Sequence, residues 1–450
     1  MSKKSQNVDS MRNFNRSSVM KLVLENPGID RSRLADQTGL TKAAMTRIVQ
    51  ELLNVNLVKE TGSLKLKKGR GRWPTGLEIN NEGGYILGLS ILAFNTSVAL
   101  TDISGTVIAS VSLKPSDLSD PKRTLDEISE TALRVISDCK IRRNQVIAAG
   151  VAIAGYLDIE GRQWLHSPYL RWPPFDVQRS LEKRLGVPLI VENVNRCLAV
   201  AETRIGCCTG MTDVFLIRAA LGLGVATISN GKILRGHNNT AGQVGHFPAG
   251  RGGAMCSCGK SDCITMVASG WAILDQLGLR SITLDDIFGI EDQDEKLRVV
   301  LANSLKDEKI MKVVQSAGSA LGIHCVNIVR AIDPQCILLT GPLGRNKIFG
   351  KAFSKQLAEG GVISKIITAN DQSMFSPAIA ASALSLAEHI YAPTFDIQKL
   401  QIKKSTKERL LENTDEAIYI RGTIFSDNIV GGNGDDTLIG RRGADSIFGG

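Results

Sequence analysis

The 450-residue chain has no run of about 18 consecutive apolar residues, so no helix in it is expected to span a membrane. Its opening stretch, MSKKSQNVDSMRNFNRSS, has no apolar segment, and no secretory signal is expected there. Its nine cysteines lack the even spacing of a disulfide framework, which argues for a reducing compartment and a cytoplasmic protein. Net charge is absent from most of the chain. Residues 1–76 carry 15 Lys and Arg against 6 Asp and Glu, whereas the remainder carries 39 of each sign. A neutral body with a basic head is the electrostatic footprint of a nucleic-acid-binding module joined to a second globular part. The length suits two or three domains with a sizeable core.

The head is patterned as well as basic. Val19, Met20, Val23 and Leu24 recur at helical spacing, and Asn26-Pro27-Gly28 ends that helix. Asp30 is expected to cap a short helix over RSRLADQT, Gly39 to turn the chain, and Thr41 to cap the helix TKAAMTRIVQELL. Met45, Ile48, Val49, Leu52 and Leu53 form the apolar face of that last helix. Two short helices around a glycine turn read as a helix-turn-helix. Lys42, Thr46 and Arg47 lie off the apolar face, placed to reach base edges and phosphates of double-stranded DNA in the major groove. Two strands at about 57–61 and 75–79 flank a Lys- and Gly-rich loop, which reads as a wing. Arg70 and Arg72 on that loop suit a narrow minor groove. The winged helix-turn-helix domain is assigned to residues 1–80.

From residue 84 strands, helices and loops alternate to about residue 390, which predicts an α/β body with mixed sheets. Three strands lie in YILGLSILAFNTSVALTDISGTVIASVSL, followed by a helix at about 121–139 and the buried strand VIAAGVAIAG. A long helix at about 307–331 precedes the strand CILLTG, whose Gly-Pro loop is placed to receive a ligand at a sheet edge. The densest chemical signal is AGQVGHFPAGRGGAMCSCGKSDC. His246, Cys256, Cys258 and Cys263 have the composition of a tetrahedral Cys3His zinc site, closed by four protein ligands and therefore structural. The competing reading is a set of free buried thiols.

Together, the winged head, the stretch GLGVATISNGKILRG…AGQVGH and the Cys-x-Cys-Gly…Cys cluster resemble the ROK family over about residues 12–390. That family holds repressors, such as those for N-acetylglucosamine and xylose, and sugar kinases. The resemblance implies a two-lobed, actin-like (ribonuclease-H-like) ATPase-type body over residues 84–392, and the head places the chain with the repressors. The family's kinases carry an Asp-x-Gly-Gly-Thr phosphate loop, and here the matching residues are Ser90-Ile91-Leu92-Ala93-Phe94. Their catalytic Asp follows an Asn, whereas Asn193 is followed by Val194, with Glu202 still at its expected spacing. A second Gly-Thr-Gly loop has become Gly222-Leu223-Gly224. A valine cannot accept the proton of a sugar hydroxyl, so no kinase activity is expected.

The resemblance also implies sugar contacts at Asn193, Gln243 and His246, with Val194 and Thr265 replacing two acids and Asp262 replacing a usual Gly. The effector is then a modified sugar, another molecule, or none. The expected function is a DNA-binding transcriptional regulator, a repressor of sugar-metabolism genes such as those for xylose, acting as a homodimer or homotetramer. A ROK sugar kinase and a calcium-binding secreted fusion protein are the alternatives.

After a charged linker at 393–421, residues 422–450 repeat every nine residues. Gly422, Gly431, Gly440 and Gly449 recur, as do Asp427, Asp436 and Asp445, and the apolar Ile429, Leu438 and Ile447. The pattern fits the RTX nonapeptide, in which Asp oxygens ligate Ca²⁺ and the apolar residue fills a parallel β-roll. About three units are present, so a partial β-roll is expected that folds on calcium or is disordered without it.

Overall fold

A computed structural model of the chain describes residues 3–63, 75–93, 96–167, 170–250, 254–281, 289–369, 375–392 and 397, and four short strands within 419–448. Arg70, Arg72, Phe94, Asp427, Asp436 and Asp445 lie outside the described residues. The chain divides into two units, Met1–Gly84 with Glu388–Gly450, and Tyr85–Ala387. Among the described residues no helix is long and apolar enough to cross a membrane.

In the first unit α1 (Lys3–Glu25), β1 (Ile29–Asp30), α2 (Arg31–Thr38) and α3 (Lys42–Asn54) precede β2 (Val58–Ser63) and β3 (Thr75–Ile79). The strands form an antiparallel sheet in the order β1-β3-β2. The caps sit where side-chain chemistry puts them. The Asp30 carboxylate accepts the N–H of Ser32 at 2.8 Å and of Arg33 at 3.0 Å. Gly39 ends α2 at φ 71°, a left-handed position that a glycine takes without strain. The Thr41 hydroxyl accepts from the Ala44 N–H at 3.3 Å. Met45, Ile48, Val49 and Leu52 are buried, whereas Leu53, expected on the same face, lies at its edge and is half-buried.

One ion cluster joins α1 to α3. Glu51 receives Arg12 and, at 2.8 Å, the Nε–H of Arg16. Burial pushes the Glu51 carboxyl up, but the hydrogen bonds from Arg12 and Arg16 outweigh it and hold the group below the ordinary carboxylate range.

Four further strands fall in the tail: β17 (Tyr419–Arg421), β18 (Asn428–Val430), β19 (Thr437–Ile439) and β20 (Ser446–Phe448). They pair in parallel, each with the next but one, so that Ile420 meets Leu438 and Ile429 meets Ile447.

The second unit is built twice over. Its first half runs β4 (Tyr85–Ile91), β5 (Thr96–Asp102), β6 (Val107–Leu113), α4 (Pro121–Asp138) and β7 (Val146–Ile153). Then come the short antiparallel β8 (Tyr156–Leu157), β9 (Gln163–His166) and β10 (Phe175–Asp176), followed by α5 (Val177–Leu185), β11 (Leu189–Asn193) and α6 (Val194–Ile205). The second half runs β12 (Val214–Ala219), β13 (Leu223–Ser229), β14 (Lys232–Ile233), α7 (Thr265–Ala268), α8 (Gly270–Gln276), α9 (Ile290–Asn303) and α10 (Glu308–Ile332). It closes with β15 (Cys336–Thr340), α11 (Gly341–Gly344), α12 (Lys347–Glu359), β16 (Lys365–Thr368) and α13 (Pro377–His389). The two five-stranded sheets are ordered β11-β7-β4-β5-β6 and β14-β13-β12-β15-β16. In chain order both read third, second, first, fourth, fifth, a duplicated lobe. Every residue of β7 is buried, as befits a central parallel strand covered on both faces.

One expectation is corrected. CILLTG does not end in an open Gly-Pro loop: α11 starts directly at Gly341, because Pro342 fits the first turn of a helix. No residue of that turn lines the cavity described below.

The first sheet and α13 meet with almost no space between their backbones. Gly88 of β4 and Gly150 of β7 are register partners. A Cβ on Gly88 would fall 1.9 Å from the Ala378 carbonyl oxygen, and one on Gly150 would fall 2.0 Å from that of Ala381. Two adjacent glycines therefore set the depth at which α13 rests. Gly150→Ala is expected to force the helix outward and cost about 1–3 kcal/mol or more, read as a lower midpoint in urea-induced unfolding.

Candidate functional site

The parallel strands β4, β7 and β11 end together, and a cavity of about 180 Å³ lies at their carboxyl ends. This is where open α/β sheets receive ligands. The first lobe contributes Leu92, Gly155, Asn193 and Val194, and the second contributes the β12–β13 turn. Asn193, Gln243 and His246, which are 53 residues apart in sequence at most, all line this one cavity, with Val194 and Thr265.

Each of these side chains is held. Asn193 caps α6: its Oδ1 accepts the Asn195 N–H at 2.9 Å, and its Nδ2 donates to the Gly155 carbonyl at 3.3 Å. Gln243 Oε1 accepts the Tyr156 hydroxyl at 2.9 Å. The Thr265 hydroxyl donates to the Gly245 carbonyl at 2.8 Å, so it is spent on backbone. Val194 is buried and presents an isopropyl group as the first residue of α6. At Gly224, a Cβ would fall 2.3 Å from Asn195 Nδ2, so the turn Gly222-Leu223-Gly224 packs directly on the first turn of α6.

A cluster that sequence reading missed also lines the cavity. The Glu192 carboxylate, 2 % exposed, takes Arg196 Nη1 at 3.1 Å and Arg235 Nε at 2.7 Å, and also accepts the Asn193 N–H at 2.8 Å. Arg196, 4 % exposed, donates on to Asn239 and to the Ala241 carbonyl at 3.0 Å. Its only sequence signal is the i, i+4 spacing of Glu192 and Arg196, since Arg235 joins from a separate loop. Glu192→Ala would leave the Arg196 guanidinium buried without its carboxylate. A loss of about 3–5 kcal/mol in unfolding free energy is expected, again by urea titration.

His246, Cys256, Cys258 and Cys263 come together as the spacing predicted. Their ligand atoms all lie within 4.8 Å of one another. His246 Nδ1 is 3.4 Å from Cys256 Sγ, and Cys258 Sγ is 3.4 Å from Cys263 Sγ. The segment that carries them is a strapped hairpin. The Ile264 N–H donates to Phe247 O and the Ala249 N–H to Asp262 O, both at 3.0 Å, and Pro248 bridges Cys263. His246 and Thr265 thus sit side by side at the hairpin root, facing the cavity.

On the head, Lys42, Thr46 and Arg47 share the exposed side of α3, opposite its buried face. The Thr46 hydroxyl donates to the Lys42 carbonyl at 2.9 Å, and Arg47 lies 3.5 Å from Glu51. Gln50, one turn further on, is exposed on that side as well, and sequence reading passed over it.

Comparison with known proteins places this architecture. The ROK family model matches residues 87–388. The chain belongs to the ROK family. A model of the RTX calcium-binding nonapeptide repeat matches residues 421–450. The xylose repressor of Bacillus subtilis (strain 168) is 25% identical over 331 residues, which cover 73% of this chain and 82% of the relative. The DNA-binding transcriptional dual regulator NagC of Escherichia coli (strain K12) is 26% identical over 342 residues, covering 75% and 82%. The crystal structure of a ROK family transcriptional regulator, a homolog of the E. coli MLC protein, superposes with a TM-score of 0.71 at 22% identity. It covers 88% of this chain and 99% of that one, and the two share a fold.

Proposed function

We propose that this ROK protein is a DNA-binding transcriptional regulator, a repressor of sugar-metabolism genes, without kinase activity. The observation that carries the reading is the exposed polar side of α3, Lys42, Thr46 and Arg47, on a head that holds the chain's whole excess of positive charge. Phosphate contacts from Lys42 and Arg47 would position the head, and base-edge contacts would select the operator. Arg70 and Arg72 would add minor-groove contacts. The relatives named as a xylose repressor and as a transcriptional dual regulator support this reading. A head of this kind serves a two-fold operator best as a homodimer or homotetramer in the cytoplasm.

The missing kinase activity rests on Val194. At the cavity wall beside Asn193 it offers no proton acceptor, and Leu223 puts an apolar side chain in the turn that a phosphate would need. Asn193, Gln243 and His246 remain as hydrogen-bonding groups for a sugar-like effector. Such an effector would regulate only through unequal affinity for DNA-bound and free forms.

The donor set at residues 246–263 fits zinc: three thiols and one imidazole, converging from one hairpin, with no acidic oxygen among them. The metal would brace the hairpin root and fix the His246 ring at the cavity. In the tail, Asp427, Asp436 and Asp445 are assigned to calcium by their nine-residue spacing, in line with the RTX match and the parallel strand pairs. These pairs suit a partial β-roll.

Four outcomes are expected. The full-length protein should bind a fragment of its own upstream region with an affinity that falls log-linearly with salt in gel-shift titrations. Arg47→Ala should cost about 1–3 kcal/mol of that binding while far-UV circular dichroism stays unchanged. Salt-insensitive binding, or robust ATP-dependent sugar phosphorylation, would overturn the reading. Metal analysis should find one zinc per chain, and Cys256→Ser should lose it without moving operator affinity measured in the absence of effector.

A further inference from the structure

Three cysteines outside the metal hairpin form a second thiol cluster. Cys207 and Cys208 lie in the turn after α6, and Cys336 opens β15, where it is the register partner of Val214. Cys208 Sγ and Cys336 Sγ are 3.6 Å apart and both residues are 0 % exposed. Cys207 is only partly buried. Its thiol donates to Glu202 Oε2 at 3.3 Å, and its N–H donates to the same oxygen at 3.1 Å. The carboxylate approaches this closely because residue 206 is glycine: a Cβ there would fall 2.1 Å from Glu202 Oε2. Glu202 itself is 2 % exposed, a buried acid turned toward a thiol rather than toward a cation.

We propose that Cys207, Cys208 and Cys336 form an oxidisable site, which a hydroperoxide enters at Cys207 and which ends as a Cys208–Cys336 disulfide. The geometry orders the steps. The Cys207 sulfur attacks the terminal oxygen of the peroxide, the O–O bond breaks, and Cys207 becomes a sulfenic acid. Its thiol proton passes through Glu202 to the leaving oxygen, releasing water from hydrogen peroxide or an alcohol from an organic hydroperoxide. The adjacent Cys208 sulfur displaces the sulfenic hydroxyl, which leaves as water with the Cys208 proton. Cys336 then attacks the Cys208 sulfur that it touches, Cys207 leaves, and the Cys336 proton returns it to the thiol. In sum two thiols and one peroxide give one disulfide and two waters, or one water and one alcohol. The Cys208–Cys336 hydrogen bond lowers the Cys336 thiol below its ordinary range and raises the Cys208 thiol above its own. Cys208 therefore gives up its proton only as it attacks, while Cys336 is suited to be the final attacking sulfur. Burial raises the Glu202 carboxyl, which suits it to carry a proton for a step rather than to stay a fixed charge. The finished bond would staple the exit of α6 to the first residue of a central strand.

The test is peptide mapping of the full-length protein after brief exposure to a few equivalents of hydrogen peroxide, with free thiols blocked by iodoacetamide under denaturing, non-reducing conditions. The expected product is a peptide pair cross-linked through Cys208 and Cys336, released by dithiothreitol. It should be accompanied by a dithiothreitol-reversible rise in Tm. Cys336→Ser should accumulate the Cys207–Cys208 disulfide instead, and Cys207→Ser should slow the Cys208–Cys336 product by roughly tenfold or more. Full alkylation of Cys208 and Cys336 in the wild-type protein, while the cysteines at 256–263 oxidise, would overturn the proposal. Equal rates in wild type and Cys207→Ser would overturn the assigned point of entry.

Discussion

The walls of the cavity are registered by one buried carboxylate. Glu192 is the last residue but one of β11 and holds two guanidiniums, one from the helix that follows it and one from a loop 43 residues on. Three pieces of backbone therefore have to agree before the charge is satisfied: the strand end, the first turn of α6 and the loop reaching toward Gln243. A carboxylate with one guanidinium would be an ordinary ion pair of uncertain benefit. A carboxylate shared by two guanidiniums, one of which goes on to grip Asn239 and Ala241, is a registration device. It leaves Asn193 and Gln243 pointing into the same space.

Around this anchor the body is a repeated lobe whose two sheets have the same strand order. The repeat brings the carboxyl ends of one sheet to face a hairpin of the other, and that confrontation makes the cavity. In the proposed reading, what the cavity does is decided by a few side chains on this frame. Val194 offers no proton acceptor at the start of α6, and Thr265 turns its hydroxyl to a carbonyl. On the same proposed reading, this frame would hold a ligand without transforming it.

What could be read from residues alone follows the range of each interaction. Caps and turns are local, so Asp30, Gly39 and Thr41 behave as expected. The apolar period of α3 and the long α10 are local too. The metal donors were legible because three of the four lie within eight residues and cysteine has few roles in such a pattern. The Glu192 cluster was not legible, because Arg235 acquires its partner only when β11 and the loop fold together. The Gly88–Gly150 pair was hidden for the same reason: nothing within either strand says that a helix from the far end of the body will lie on it. The Gly-Pro pair after β15 was read as a loop because glycine and proline mark loops, whereas proline also suits the first turn of a helix, and only the tertiary setting separates the two.

The hairpin that carries His246 has a further consequence. Its root touches the cavity and its body holds the four metal donors, so the two sites share one mechanical element. Free-energy couplings between binding sites are reciprocal. Whatever factor a bound metal adds to the grip of the cavity on a ligand, that ligand must return to the metal. If the proposed metal and effector both bind, metal retention would then report on effector supply, and metal shortage would blunt the response to the effector.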